Sequence, residues 1–173
     1  KGEIGTYTIP ADGSTITEVT TLVHDGSTTN GWESLITIDA NTVLLTYSGE
    51  STDGYLKTFN IPTNGSSITE KIVLEHDGVY NVYNSVVQMD FDTYALAYYG
   101  YDGGGDNTWG GWIKTFTVNG GTITEVAKLR HYTSNTSHHS FIKVDADTYA
   151  LAWSDANSDG MISTFTIPAD GSS

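Results

Sequence analysis

The stretch that decides the fold is residues 54–77, GYLKTFNIPTNGSSITEKIVLEHD. Its first part, GYLKTFNI at 54–61, returns as GEIGTYTI at 2–9, GWIKTFTV at 111–118 and GMISTFTI at 160–167. Its last part, ITEKIVLEHD at 68–77, returns at 16–25 and, with Tyr for the final Asp, at 123–132. Working outward, SVVQMD at 85–90 matches 34–39 and 140–145, and DTYALAYYG at 92–100 matches 41–49 and 147–155. His24, His76 and His131 recur at intervals of 52 and 55 residues. Internal repetition at this period marks a propeller, a solenoid or an array.

Each repeat holds four short segments rich in Thr, Ile, Val and aromatics, bounded by turn residues. The chain has 26 Thr and 19 Gly, with seven Asp-Gly and three Asn-Gly dipeptides, the strongest local hairpin signals. No window sustains helical apolar spacing. The chain is predicted to be all-β, and four strands per ~40–50 residues predict β-propeller blades. Segments such as Tyr94-Ala95-Leu96-Ala97-Tyr98 are apolar on both faces and belong near the axis. The Ile-Thr-Glu segments alternate and belong outside. Each blade is therefore ordered as Ser-start segment, Tyr-Ala-Leu-Ala segment, Gly-x-Ile-Lys-Thr-Phe segment and Ile-Thr-Glu segment. Residues 1–173 form a single repeat region: a partial blade at 2–24, blades at 34–76 and 85–131, and a partial blade at 140–167, thirteen strands in all.

These blades resemble those of WD-repeat proteins. Asp53-Gly54 and Asp159-Gly160 stand at the turn between second and third strands, and His24, His76 and His131 close the outer strand. The resemblance implies a propeller and leaves the function open. Three blades and a strand do not close a ring. The expectation is either a segment of a longer array or self-association through blade edges. In the second case the first strands of one copy would complete the last blade of another, two copies making about six blades.

Composition excludes several function classes. With 7 basic and 21 acidic residues the net charge is −14, leaving no excess of cations for phosphates or an anionic bilayer. Nucleic-acid binding and membrane insertion are not expected, and no apolar run approaches a membrane span. Cysteine is absent, so there is no thiolate metal site or disulfide. No signal segment is visible. An acidic, Thr-rich, Cys-free chain fits an extracellular or cell-surface setting, where Asn64 and Asn135 would be glycosylation sequons.

Comparison among the repeats singles out one face. The links at 9–16, 61–68 and 118–123, and those at 39–42, 90–93 and 145–148, are near copies. The links at 25–33, 77–84 and 132–139, and at 48–53, 99–110 and 154–159, vary, and antiparallel pairing puts both sets on the opposite face. That face carries Trp32, Tyr80, Tyr83, Tyr101, Trp109, Tyr132, His138 and His139 with Asp102, Asp106, Asp155 and Asp159. Rings stack on the apolar face of a pyranose while carboxylates and amides bond its hydroxyls, so glycan binding is one reading and gap-filling between blades is the other. Trp32, Tyr83 and His138 share one repeat position at the rim of the central opening.

Asp155, Asn157 and Asp159 alternate before Gly160 in the spacing of a calcium loop, but no bidentate Glu follows, and a plain hairpin competes. Apart from calcium, no cofactor is expected. His138-His139 reads as an exposed pair. His24, His76 and His131 read as structural, bonded to hydroxyls such as Ser34, Ser85 or Ser140. Asp39, Asp90 and Asp145 recur in every blade, as turn caps do. No nucleophile, phosphate-loop or His-Glu motif is present, and the chain is not expected to be an enzyme. The expected function is adhesion or carbohydrate binding to a glycan or cell-surface polymer. The alternatives are a self-assembling structural repeat and a fragment of a propeller hydrolase or lyase.

Overall fold

The computed structural model describes residues 1–28, 31–102, 108–119 and 121–172. They form four antiparallel sheets from consecutive strands. The first sheet is β1 (Gly2–Thr8) and β2 (Thr17–Asp25). The second is β3 (Gly31–Thr37), β4 (Thr42–Ser48), β5 (Gly54–Asn60) and β6 (Thr69–Asp77). The third is β7 (Asn81–Gln88), β8 (Thr93–Asp102), β9 (Thr108–Asn119) and β10 (Thr122–Tyr132). The fourth is β11 (Ser137–Lys143), β12 (Thr148–Ser154) and β13 (Gly160–Thr166). Within each sheet the strands lie side by side in chain order, and a single 3-10 turn at Glu50–Thr52 interrupts the described strands.

The sheets stack face to face in chain order, because each strand presents apolar side chains to both sides. Ile4 and Leu22 of the first sheet pack on Leu45, Tyr47 and Phe59 of the second. Leu44 and Leu56, on the other face of the second, pack on Tyr94, Leu96, Tyr98, Trp112 and Phe116 of the third. Met89, Ala95, Ala97 and Ile113, on the third sheet's far side, pack on Phe141, Tyr149, Leu151 and Trp153 of the fourth. Ala95 and Ala97 are fully buried, and their small side chains leave room for Leu151 and Trp153. Each fully buried Leu, Phe or Tyr contributes on the order of 1.5–3 kcal/mol.

Polar bonds at each interface repeat as the sequence does. Lys57 Nζ donates to the His24 carbonyl at 2.7 Å, and Lys114 Nζ donates to the His76 carbonyl at 2.7 Å. The same ammonium groups pair with Glu70 and Glu125 on their own sheets. Ser34 and Ser85 accept from the amides of Val86 and Phe141, in the first strands of the following sheets. This corrects the expected Ser–His bonds. The rings of His24, His76 and His131 instead stand edge-on to Tyr47, Tyr98 and Trp153 at 4.7, 5.2 and 4.9 Å. Burial pushes all three imidazoles down, His131 to about 3, and holds them neutral.

Two boundaries differ from expectation. The first strands of the second, third and fourth sheets begin at Gly31, Asn81 and Ser137, three or four residues ahead of the expected Ser34, Ser85 and Ser140, because a bulge carries each ladder past its register shift. The expected loop at 99–110 is largely strand: Gly100 pairs with Gly110, Tyr101 with Trp109 and Asp102 with Thr108.

Candidate functional site

The bulges build the variable face. Trp32, Tyr83 and His138 have φ of 54°, 60° and 54°, a left-handed backbone that bulky side chains rarely adopt. Glycine would fit this geometry without the ~1–3 kcal/mol of strain such residues carry. The same left-handed position carries a ring in all three repeats. Neighbouring sheets hold the bulges in place: Asn84 Nδ2 donates to the Trp32 carbonyl at 3.1 Å, and His139 Nδ1 lies 3.0 Å from the Tyr83 carbonyl.

The three rings form a row. Trp32 and Tyr83 stand edge-on with centroids 5.5 Å apart, and Tyr83 and His138 lie at 5.3 Å. Trp32 is 41 % exposed. A second group surrounds Trp109, itself 44 % exposed, with Tyr80, Tyr101 and Tyr99 at 5.1, 5.2 and 5.8 Å. Between the two groups a cleft of about 360 Å³ opens at the junction of the third and fourth sheets, lined by Tyr80, Tyr83, Tyr99, Asn135, Ser137 and Asp155. Tyr99 donates to Asn135 Oδ1 at 2.6 Å, and Tyr132 reaches Asp155 Oδ2 at 3.4 Å. Burial raises the Tyr99 phenol, which stays protonated and a donor. The cleft thus offers flat rings, a carboxylate, an amide and hydroxyls.

Most of the expected residues meet here, with exceptions. His139 is no exposed partner of His138. Its ring turns inward, 5.5 Å from His131, and burial lowers it to about 4, so it positions the Tyr83 bulge. Asp102 is buried and paired with Lys128, outside the lining of this cleft. Asp106 lies outside the described residues. Tyr99, Asn135 and Ser137 were not anticipated. Tyr99 stands where the other sheets have Ser48 and Ser154, and that mismatch between repeats was readable.

In the 155–160 loop one carboxylate oxygen is bonded within the loop. Asp155 Oδ1 accepts from the amides of Asn157 and Asp159 at 2.8 and 3.0 Å, the pattern of a capped hairpin turn. Among the described residues no three His, Cys, Asp or Glu side chains gather as a metal cluster. Asp39, Asp90 and Asp145 likewise accept from the amides of Asn41, Phe91 and Ala146 within their own turns. A larger cavity of about 730 Å³ lies near Tyr7, Asp39 and Asn64, between the two-stranded first sheet and the second.

In comparisons with known proteins, no family model matches this chain and no curated protein matches it in sequence.

Proposed function

We propose that the chain is a non-enzymatic, extracellular β-propeller-type repeat module for adhesion, binding carbohydrate at the face of its variable links. The row of rings at Trp32, Tyr83 and His138, held at positive φ beside a tyrosine-lined cleft, carries this reading. Three unequal rings at equivalent positions make similar but unequal subsites. Each buries little of a sugar, so affinity accumulates along a polymer. Stacked four-stranded sheets whose inner strands neighbour one another support the blade reading.

The test is binding to a surface-presented polysaccharide panel against free monosaccharides. Polymer binding far exceeding monosaccharide binding is expected. Changing Trp32 and Tyr83 to Ala abolishes it while leaving unfolding unchanged within ~1 kcal/mol. Unfolding of that double variant would make the rings gap-fillers, and unchanged binding would move the site elsewhere.

A further inference from the structure

The cleft between the third and fourth sheets carries charge of one sign. Asp155 lines it, and among the described residues no Lys or Arg does. The carboxylate is particular to this junction. Asp155 stands where the two preceding repeats have Gly49 and Gly100. A Cβ on Gly49 would lie 2.6 Å from the Tyr55 ring, and one on Gly100 would lie 2.4 Å from the Tyr80 carbonyl oxygen. The fourth repeat has Met161 where the second has Tyr55, and it accepts a side chain at this position. Arg130 comes close to the cleft in sequence but is bonded elsewhere. Its Nη2 donates to the carbonyls of Trp109 and Thr133, and its guanidinium lies 6.0 Å from the centre of the Trp112 ring.

The other walls are rings. Tyr80 and Tyr99 meet at 78° with centroids 6.1 Å apart, a corner of two aromatic rings, and Tyr83 lines the same cleft. A ring face is the negative side of the aromatic quadrupole and attracts an ammonium group within about 6 Å of its centre. Rings at a corner with a carboxylate beside them suit an organic cation. A neutral ligand gains nothing from the carboxylate's charge, and an anionic one is repelled by it. The polar groups narrow the choice further. Tyr99 bonds Asn135 Oδ1, so Asn135 presents its Nδ2–H donors. A sugar hydroxyl accepts such a bond, whereas a lysine side chain has no acceptor to offer.

Resting on carbohydrate binding at this face, we infer that the cleft takes a cationic amino sugar. The protonated amino group sits between the rings of Tyr80 and Tyr99 and the Asp155 carboxylate, and Asn135 bonds a hydroxyl of the same sugar. The polymer recognised is then a glycan with free amino groups, in preference to an N-acetylated or uronic one. The net charge of −14 acts in the same direction, drawing a polycation to the chain before any contact is made.

The experiment compares, by calorimetry, tetramers of glucosamine, of N-acetylglucosamine and of glucose, with tetralysine as the charge control. It is run at about pH 6, below the range in which an α-amino group loses its proton. The glucosamine tetramer should bind about tenfold or more tighter than either neutral tetramer, and its lead should narrow at high salt. Asp155→Asn, whose Oδ1 still accepts the turn amides, should keep the melting temperature and bind the three sugars alike. Tyr80→Leu keeps an apolar wall without a ring face and should cut the lead severalfold. Equal binding of the glucosamine and N-acetylglucosamine tetramers, or a preference that survives both substitutions, would overturn the inference and leave glycan binding standing. Tetralysine binding as tightly as the glucosamine tetramer would overturn it in favour of a basic peptide. Absence of binding by any sugar, polysaccharides included, would remove the carbohydrate reading with it.

Discussion

The third and fourth sheets are written in nearly the same sequence and live in different surroundings. Ile113 and Ile162 occupy the same repeat position on the same face, yet Ile113 is 2 % exposed and Ile162 is 74 % exposed. Met89 and Val144 differ in the same way, one buried and the other exposed. The third sheet has a neighbour on each side, and the fourth has one among the described residues. Burial here is a property of the stack, while the pattern of apolar residues is a property of the repeat. Among the described residues, the fourth sheet's far face carries the apolar pattern that the third sheet buries.

The largest expected effect follows from that pair. Ile113→Ala leaves a cavity between two packed sheets and should cost on the order of 2–5 kcal/mol in denaturant unfolding. Ile162→Ala removes the same atoms from an exposed position and should stay within ~0.5 kcal/mol. Equal costs for the two would mean that the fourth sheet's free face is covered in solution, and the comparison would break.

A second test uses the histidines that only the closed interfaces contain. His24, His76, His131 and His139 are all lowered by burial, the last two to about 3 and about 4. In the unfolded chain they titrate near ~6.5. Above that pH both states are neutral and the histidines leave stability unchanged. As pH falls toward 4, the unfolded chain binds protons that the folded chain refuses, so stability drops. The melting temperature should be flat above pH 7 and fall between about pH 6.5 and 4. Each histidine contributes a slope of up to about 1.4 kcal/mol per pH unit. His131→Phe keeps an edge-on ring against Trp153 and should make the slope shallower by one such contribution. An unchanged slope would show that His131 takes up its proton in the folded state.

Much of this architecture is legible in the sequence. Turn dipeptides and repeated segments place the strands, and chain order places them in sheets, because hairpin pairing is local. The ring row at Trp32, Tyr83 and His138 was visible as a shared repeat position, but its cause was not. A non-glycine residue at positive φ has no composition signal, and it moved each inner-strand start ahead of the expected serine. The partners of Ser34, Ser85 and His139 were misread or missed for one reason. They lie on the neighbouring sheet, and the offset between stacked sheets is set by side-chain packing that no single segment records.

The smallest effect distinguishes two interfaces by one hydroxyl. Thr6 and Thr115 each donate to a carbonyl in the turn of the following sheet, Gly65 at 2.8 Å and Gly171 at 2.7 Å. Both glycines have positive φ, and a Cβ on either would approach the threonine Cβ to 3.2 or 3.1 Å, so turn and threonine fit closely. Thr58 is the equivalent residue of the second sheet and is buried, but its Oγ1 has no hydrogen-bond partner among the described residues. The corresponding link of the third sheet, 118–123, spans six residues where 61–68 spans eight. Removing a satisfied buried hydroxyl costs about 1 kcal/mol, while replacing an unsatisfied one by a methyl group is neutral or stabilising. Thr115→Val should therefore lower stability by ~1 kcal/mol and Thr58→Val should raise it or leave it unchanged. Restoring the two-residue difference, by lengthening 118–123 to the sequence of 61–68, should give Thr58 its partner. In that background Thr58→Val should become as costly as Thr115→Val. If Thr58→Val is already costly in the natural chain, the hydroxyl has a partner, and the second and third sheets meet as closely at this turn as the other pairs do.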